Sequence, residues 1–225
     1  NSKYKQKNHC KKLKKFLLHI FVFLIMSVSY AQENKFLDKF SFGMSFKLPK
    51  TIQNTTFKKT IYGVGDLDAQ FNYKLIPNLE FSLGFKYGYY DVNSVAFQSN
   101  IDGQFESHLP FVKISWINDI NERVFIDFGV RSGYNFSSTK TTNCSTIYKQ
   151  SAVRLEPELG IYMLSTDLLS FGLVFSYNLW FAEFTPEHFC MTSISGMNPS
   201  ESVGLYQTFC AGFSFKTYFP ERSRN

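Results

Sequence analysis

Between Leu79 and Tyr90 the chain reads Leu-Glu-Phe-Ser-Leu-Gly-Phe-Lys-Tyr-Gly-Tyr-Tyr. Odd positions hold Leu79, Phe81, Leu83, Phe85, Tyr87 and Tyr89, while even positions hold Glu80, Ser82, Gly84, Lys86 and Gly88. The same writing recurs in Val124–Phe136, where Val124, Ile126, Phe128, Val130 and Tyr134 alternate with Asp127, Gly129, Arg131 and Gly133. A period of two predicts strands with two unlike faces. Alternation alone does not say which face is inside, but the glycines do. Nine of the thirteen (Gly43, Gly84, Gly88, Gly129, Gly133, Gly160, Gly172, Gly204, Gly212) share the charged phase. Glycine weakens a strand and has little use on a solvated face, whereas it makes room beside long charged side chains in a narrow interior. The polar phase therefore faces inward and the Phe/Leu/Tyr phase faces lipid, which predicts an all-β transmembrane barrel.

Eight segments carry the pattern, at about 39–48, 65–75, 79–91, 105–117, 123–136, 151–164, 169–182 and 202–219. Their connections alternate: 76–78, 118–122 and 165–168 are short, and 49–64, 92–104, 137–150 and 183–201 are long and rich in Ser, Thr, Asn and Gly. This predicts an eight-stranded antiparallel up-and-down barrel with both termini periplasmic and the four long loops outside the cell. Closure removes the strand edges, as lipid requires, because no water is there to satisfy backbone groups. Tyr73, Trp116 and Phe219 fall at one rim and Tyr87, Tyr89, Tyr134 and Phe181 at the other, suiting aromatic girdles at headgroup depth. The alternative is a soluble lipocalin-like barrel with its aromatics inside. A lumen that holds one small ligand cannot take several dozen large side chains.

The N-terminus points the same way. Seven lysines (Lys3, Lys5, Lys7, Lys11, Lys12, Lys14, Lys15) precede the apolar run Phe16–Val28, and Ser29-Tyr30-Ala31 supplies small residues for cleavage before Gln32. Residues 1–31 are expected to be a secretory signal peptide and residues 32–225 the barrel domain. The thirteen-residue run is too short for a spanning helix, which needs about 20 residues. Cys10 precedes that run instead of following it, which excludes a lipoprotein signal. Seven of the 24 Lys and Arg leave with the leader and no acid does, so 17 bases then face 18 acids, a net charge of −1. The basic balance belongs to the export signal, and nucleic acid is not an expected partner.

The inward phase collects Lys47, Asp66, Asp68, Lys74, Glu80, Lys86, Lys113, Asp127, Arg131, Arg154, Glu156, Glu158 and Lys216, seven bases and six acids. Near-balanced charge in a narrow interior reads as a cross-strand network, because a lone buried charge is very costly. An ion-selective pore lining is the alternative, but eight strands leave an interior that side chains fill. Glu156 and Glu158 point the same way like a catalytic carboxylate pair, yet a glycosidase needs an open cleft with a substrate-sized gap, so both are read as network acids.

No catalytic, metal or cofactor set is found. Ser107 and His108 are adjacent on a strand and must point to opposite faces, so they cannot form the nucleophile–base pair of a lipid-modifying enzyme. His188 stands in the fourth loop without a second metal ligand at a recognisable spacing, and both histidines are expected at the surface or rim. Cys210 falls inward on strand 8. Cys144 and Cys190 fall in the third and fourth long loops, which emerge side by side, so an oxidising compartment favours a disulfide between them over two free thiols.

Strands 4 and 5 carry His108-Leu-Pro-Phe-Val-Lys113 and Val124-Phe-Ile-Asp-Phe-Gly129-Val-Arg-Ser-Gly-Tyr134. This resembles the PorT-like outer-membrane barrel family, whose members show an I/L-P-x-x-x-K strand followed by a Gly-containing aromatic strand. Pro110, Lys113 and Gly129 are the matching positions. The resemblance accounts for Pro110, since proline removes a ladder bond in a closed sheet; Pro157 is assigned to a bulge. It implies an outer-membrane protein, with some relatives linked to protein secretion. The expected protein is thus a non-enzymatic barrel without a cofactor. Its expected partners are outer-membrane lipid, the barrel assembly machinery, and an extracellular or secretion-complex protein. A narrow channel for ions or very small solutes is the alternative, and a lipid-modifying enzyme a third.

Overall fold

The computed structural model describes residues 39–97, 101–192, 194 and 205–219. The expected signal peptide, residues 1–31, and Gly204 lie outside the described residues. Eight strands form one closed antiparallel barrel in sequence order. They are β1 (Phe40–Gln53), β2 (Ile61–Ile76), β3 (Leu79–Val92), β4 (Gly103–Asp119), β5 (Val124–Thr141), β6 (Tyr148–Thr166), β7 (Leu169–Glu183) and β8 (Leu205–Phe219). The ring closes where β1 pairs β8, from Phe40 opposite Phe219 to Lys50 opposite Phe209.

The two faces separate as the alternation requires. Phe71 is 67% exposed and Phe213 70%, while Lys47 and Arg154 are fully buried. An exterior of exposed Phe, Leu, Ile and Val around a charged interior is stable only in contact with hydrocarbon, so this is a transmembrane barrel.

The strands are longer than the alternation predicts. β1 runs on to Gln53, β2 begins at Ile61, β5 continues to Thr141 and β6 begins at Tyr148. A tilted strand needs only about 9–11 residues to cross the hydrocarbon. Beyond that depth the outward face need not be apolar. Ser137–Thr141 and Tyr148–Ser151 lose the two-phase signal but keep their pairing, such as Thr139 opposite Tyr148.

Pro157 sits in no bulge, contrary to the sequence assignment. It pairs Val130 in unbroken β5–β6 register, and the β6–β7 ladder passes over Glu156 and Pro157 without a shift. The missing N–H is accommodated as a gap in one ladder. Pro110 is treated alike: it pairs Phe85 on one side, and the ladder to β5 skips from His108 to Phe111 in constant register. The register shifts lie near strand ends, at Thr51/Gln53, Gly63/Gly65, Lys74/Ile76, Leu164/Thr166 and Trp180/Glu183.

Candidate functional site

Inward-facing positions on neighbouring strands place acids against bases, and the middle of the lumen becomes an ion-pair lattice. Lys47 Nζ lies 2.9 Å from Asp68, 3.1 Å from Glu156 and 2.7 Å from Glu158. Lys86 reaches Asp66 at 2.7 Å and Glu156 at 3.0 Å. Arg131 spans Asp68, Glu156 and Glu158 at 3.0, 3.4 and 3.2 Å. Nearer the short turns, Lys113 bonds Glu158 at 2.8 Å, and Lys216 joins Asp127 at 2.7 Å to Glu80 at 3.1 Å. Arg154 closes the other end, donating to Asn178 Oδ1 at 2.6 Å and lying 3.4 Å from Glu156.

Twelve of the thirteen expected network residues are buried in this lattice, six bases against six acids. The thirteenth, Lys74, is half-buried near the β2–β3 turn. Most of these charges face two or more opposite charges, the condition under which buried ions repay their desolvation. Glu156 and Glu158 share Lys47 and Arg131, which leaves no substrate-sized gap between them.

Two apolar layers bound the lattice. At the short-turn end, Ile117, Phe125, Tyr162, Val174 and Tyr218 fill the lumen, with Phe125 and Tyr162 stacked at 5.1 Å. At the other end Tyr90, Phe105, Trp180 and Tyr206 turn inward beneath the long connections. Each layer is fastened to the charges: Lys216 lies 5.0 Å from the Tyr162 ring centre and Arg154 4.3 Å from that of Trp180. Tyr90 Oη donates to Asp66 at 3.2 Å. These aromatics break the polar phase of their strands, and the alternation argument passed over them.

The layers also correct the role given to the glycines. Gly129 does make room for a charge, since a side chain there would strike Lys113 Cε. Gly160 and Gly172, however, both face the Tyr162 ring, and Gly84 faces Phe111. Inward aromatics need the space as much as the charges do.

The connections fold down over the upper layer. Between β1 and β2 runs α1 (Thr55–Thr60), capped by Asn54, whose Oδ1 accepts from Phe57 N at 3.0 Å and whose Nδ2 donates to Phe184 O at 3.3 Å. Phe57 points into the barrel mouth, 4.8 Å from Tyr206 and 4.9 Å from Phe184. A 3-10 turn at Pro186–Phe189 adds Phe189, which meets Phe97 from the β3–β4 connection at 4.8 Å.

His188 is in this turn and is buried, not at the surface as expected. Its ring lies between Phe184 at 4.2 Å and Tyr148 at 4.3 Å, with Nε2 3.2 Å from Gln150 Oε1. Burial pushes its pKa down to about 4, against a smaller upward pull from the Thr185 hydrogen bond. Cys190, next but one, is joined to Cys144 in a disulfide with Cα atoms 5.6 Å apart. Cys210 is a buried free thiol accepting from Asn178 at 3.0 Å.

The remaining candidates separate. Ser107 faces inward, donating to Asn135 at 2.6 Å, whereas His108 faces outward beside Tyr87, with Glu106 at 3.9 Å. They share no site. Among the family-motif positions, Lys113 and Gly129 fit together across β4 and β5, and Pro110 lies on the exterior. Among the described residues no group of His, Cys, Asp and Glu could hold a metal ion.

Neisserial surface protein A shares this fold. Its structure aligns with a TM-score of 0.52 and 13% identity over 81% of this chain and 98% of its own. OprG from Pseudomonas aeruginosa aligns at TM-score 0.45 and 12% identity, over 84% of this chain and 100% of its own. The attachment invasion locus protein Ail of Yersinia pestis aligns at TM-score 0.44 and 11% identity, over 80% and 99%. No protein-family model matches the sequence, and no curated protein matches it. The chain has the fold of the small outer-membrane barrels.

Proposed function

We propose that this chain is a non-enzymatic outer-membrane protein, its lumen closed to solutes, that works through the face built by its long connections. The observation that carries this reading is the balanced charge lattice held between two aromatic layers. A conducting lumen needs a continuous wet path; paired charges in the middle and packed rings toward both ends speak against one. The long connections are proposed to face outward, where their disulfide lowers the ordering cost of binding a partner. That partner is an extracellular protein or a component of an envelope or secretion complex. Lipid and the assembly machinery are the partners any such barrel meets on its way into the membrane. Membership of the PorT-like family belongs to the same proposal, supported by the fit of Lys113 against Gly129.

Planar-bilayer recording tests the closed lumen: the purified barrel should hold the baseline at either polarity. Sustained conductance steps would overturn the reading in favour of a narrow channel. Labelling whole cells with a membrane-impermeant thiol reagent tests the orientation. A cysteine replacing Val95, which is 89% exposed between β3 and β4, should react, and one replacing Asn121 in the β4–β5 turn should stay silent. The reverse result inverts the barrel.

A further inference from the structure

Among the described residues the exterior carries a groove where polar side chains meet the aromatic belt. It has a volume of about 430 Å³, within the range of small-molecule sites, and is lined by His108, Phe136, Ser138, Lys149, Gln150 and Ser151. Strand register builds it. On β5, Phe136 stands between His108 of β4 and Ser151 of β6, and Ser138 stands between Glu106 and Lys149. Two serines between longer neighbours make the trench, with Phe136 as its wall.

Depth says what can reach it. Ten residues separate Glu106 from Trp116 along β4, which at 3.4 Å per residue and about 40° of tilt is roughly 26 Å of membrane normal. The apolar band of such barrels is about 25 Å tall. The groove therefore opens at headgroup level on the long-connection side. An outward groove at that depth is bathed in lipid, so a lipid is its natural occupant.

Charge says which lipid. The six lattice cations are all paired with carboxylates. Among the described residues, no carboxylate lies within ion-pair distance of Lys149. Two acids share this face: Glu106 lies on the far side of Ser138 and beside His108, and Glu183 stands on β7 where its backbone oxygen accepts from Gln150. Lys140, also outward on β5, adds a second positive charge nearby. A cation beside two hydroxyls and an imidazole complements a phosphate carried on a sugar.

We propose that this groove seats the phosphorylated sugar headgroup of a lipid A-type glycolipid from the outer leaflet, with Lys149 on the phosphate and Ser138, Ser151 and His108 bonding the surrounding oxygens. The proposal rests on the outward orientation of the long connections. Native mass spectrometry of the detergent-purified barrel tests it with three probes: bis-phosphorylated lipid A, the same lipid after phosphatase treatment, and phosphatidylglycerol. The wild type should retain the first. Dephosphorylation or Lys149→Glu should each weaken retention about tenfold, the loss expected of one charge-assisted bond to phosphate.

Ser151→Phe fills the trench without altering charge and should weaken retention similarly, while Lys58→Glu, exposed on α1, should change nothing. Resistance to unfolding in SDS verifies that each variant is folded. Wild-type retention by both groove variants, or equal retention of phosphatidylglycerol, would overturn the proposal. The orientation fails separately: inverted labelling at Val95 would put the groove in the other leaflet and rule out lipid A as its occupant.

Discussion

In the middle of the lumen, Glu156 is reached by Lys47, Lys86, Arg131 and Arg154, from four different strands. One layer up, Phe57 has four rings around it, those of Tyr90, Phe105, Phe184 and Tyr206. Both side chains are fully buried with four partners, yet the two regions answer differently to damage. The lattice is carried wholly by the strands. A charge left without its partner there has no water to turn to, so the fault belongs to the whole barrel. The aromatic layer is half strand and half connection. Its roof is carried on α1 and the Pro186–Phe189 turn, so damage there should open it locally while the strand ladder stays paired. The lumen should therefore be rigid in its middle and open first at one end.

The largest expected effect tests the rigid half. Glu156→Leu takes one carboxylate away from four buried cations at once and should cost about 3–5 kcal/mol of global stability. Denaturant unfolding in lipid vesicles measures it, followed by the fluorescence of Trp116 and of Trp180, which caps the lattice. A cost near zero would mean that the cations find other partners and that the lattice is not a unit.

Phe57→Ala probes the roofed half. The lost ring should cost about 3 kcal/mol, but as local opening. Hydrogen exchange in residues 54–60 and 184–192 should quicken while the global midpoint moves much less. Equal global losses from Phe57→Ala and Glu156→Leu would erase the distinction between the halves.

Removing the disulfide with Cys144→Ser and Cys190→Ser together should give about 2 kcal/mol, below the chain-entropy value, because the strands already hold both loop bases. Proteolysis of 142–147 and 184–192 should rise, with the barrel core left protected. Cleavage extending into β5 or β7 would show that the bond also holds the wall.

The smallest effect is a pH dependence. The folded pKa of His188 is pushed down to about 4, below its ordinary 6.5, so between those values the opened turn binds more protons than the closed one. The closed turn is then at full strength above about 6.5 and weakens as pH falls, by on the order of 1 kcal/mol at pH 5.5. Glu187 and Tyr148 are the neighbouring titratable groups, so His188→Phe is the control that isolates the imidazole. Exchange in 184–192, corrected for its intrinsic rate, should accelerate with acid in the wild type and not in the variant. A pH-independent wild type would show that the turn does not exclude water from the ring.

The barrel was legible in the sequence because each spanning residue has one of two neighbours, lipid or lumen. Leu79–Tyr90 alternates accordingly, and so do Asp66, Asp68, Gln70 and Asn72 against Leu67, Phe71 and Tyr73. The charge lattice followed from the same rule, since inward charges must be paired. The aromatic layers did not, although they left a trace: Tyr90, Phe105, Tyr162, Trp180 and Tyr206 are large rings on the polar phase. Read as lapses in the alternation they look like noise. They mark where rings turn into the lumen.

Local chemistry by itself determined the strand count, the inward charges and the lipid-facing set, because each depends only on which side of a strand a residue occupies. Tertiary structure decided which acid meets which base, that Cys144 reaches Cys190, and that Phe57 and His188 turn into the mouth of the barrel. Those outcomes depend on distances across the barrel, between residues far apart in the chain. Closing a sheet of this tilt and register sets those distances all at once, and no stretch of sequence records them alone.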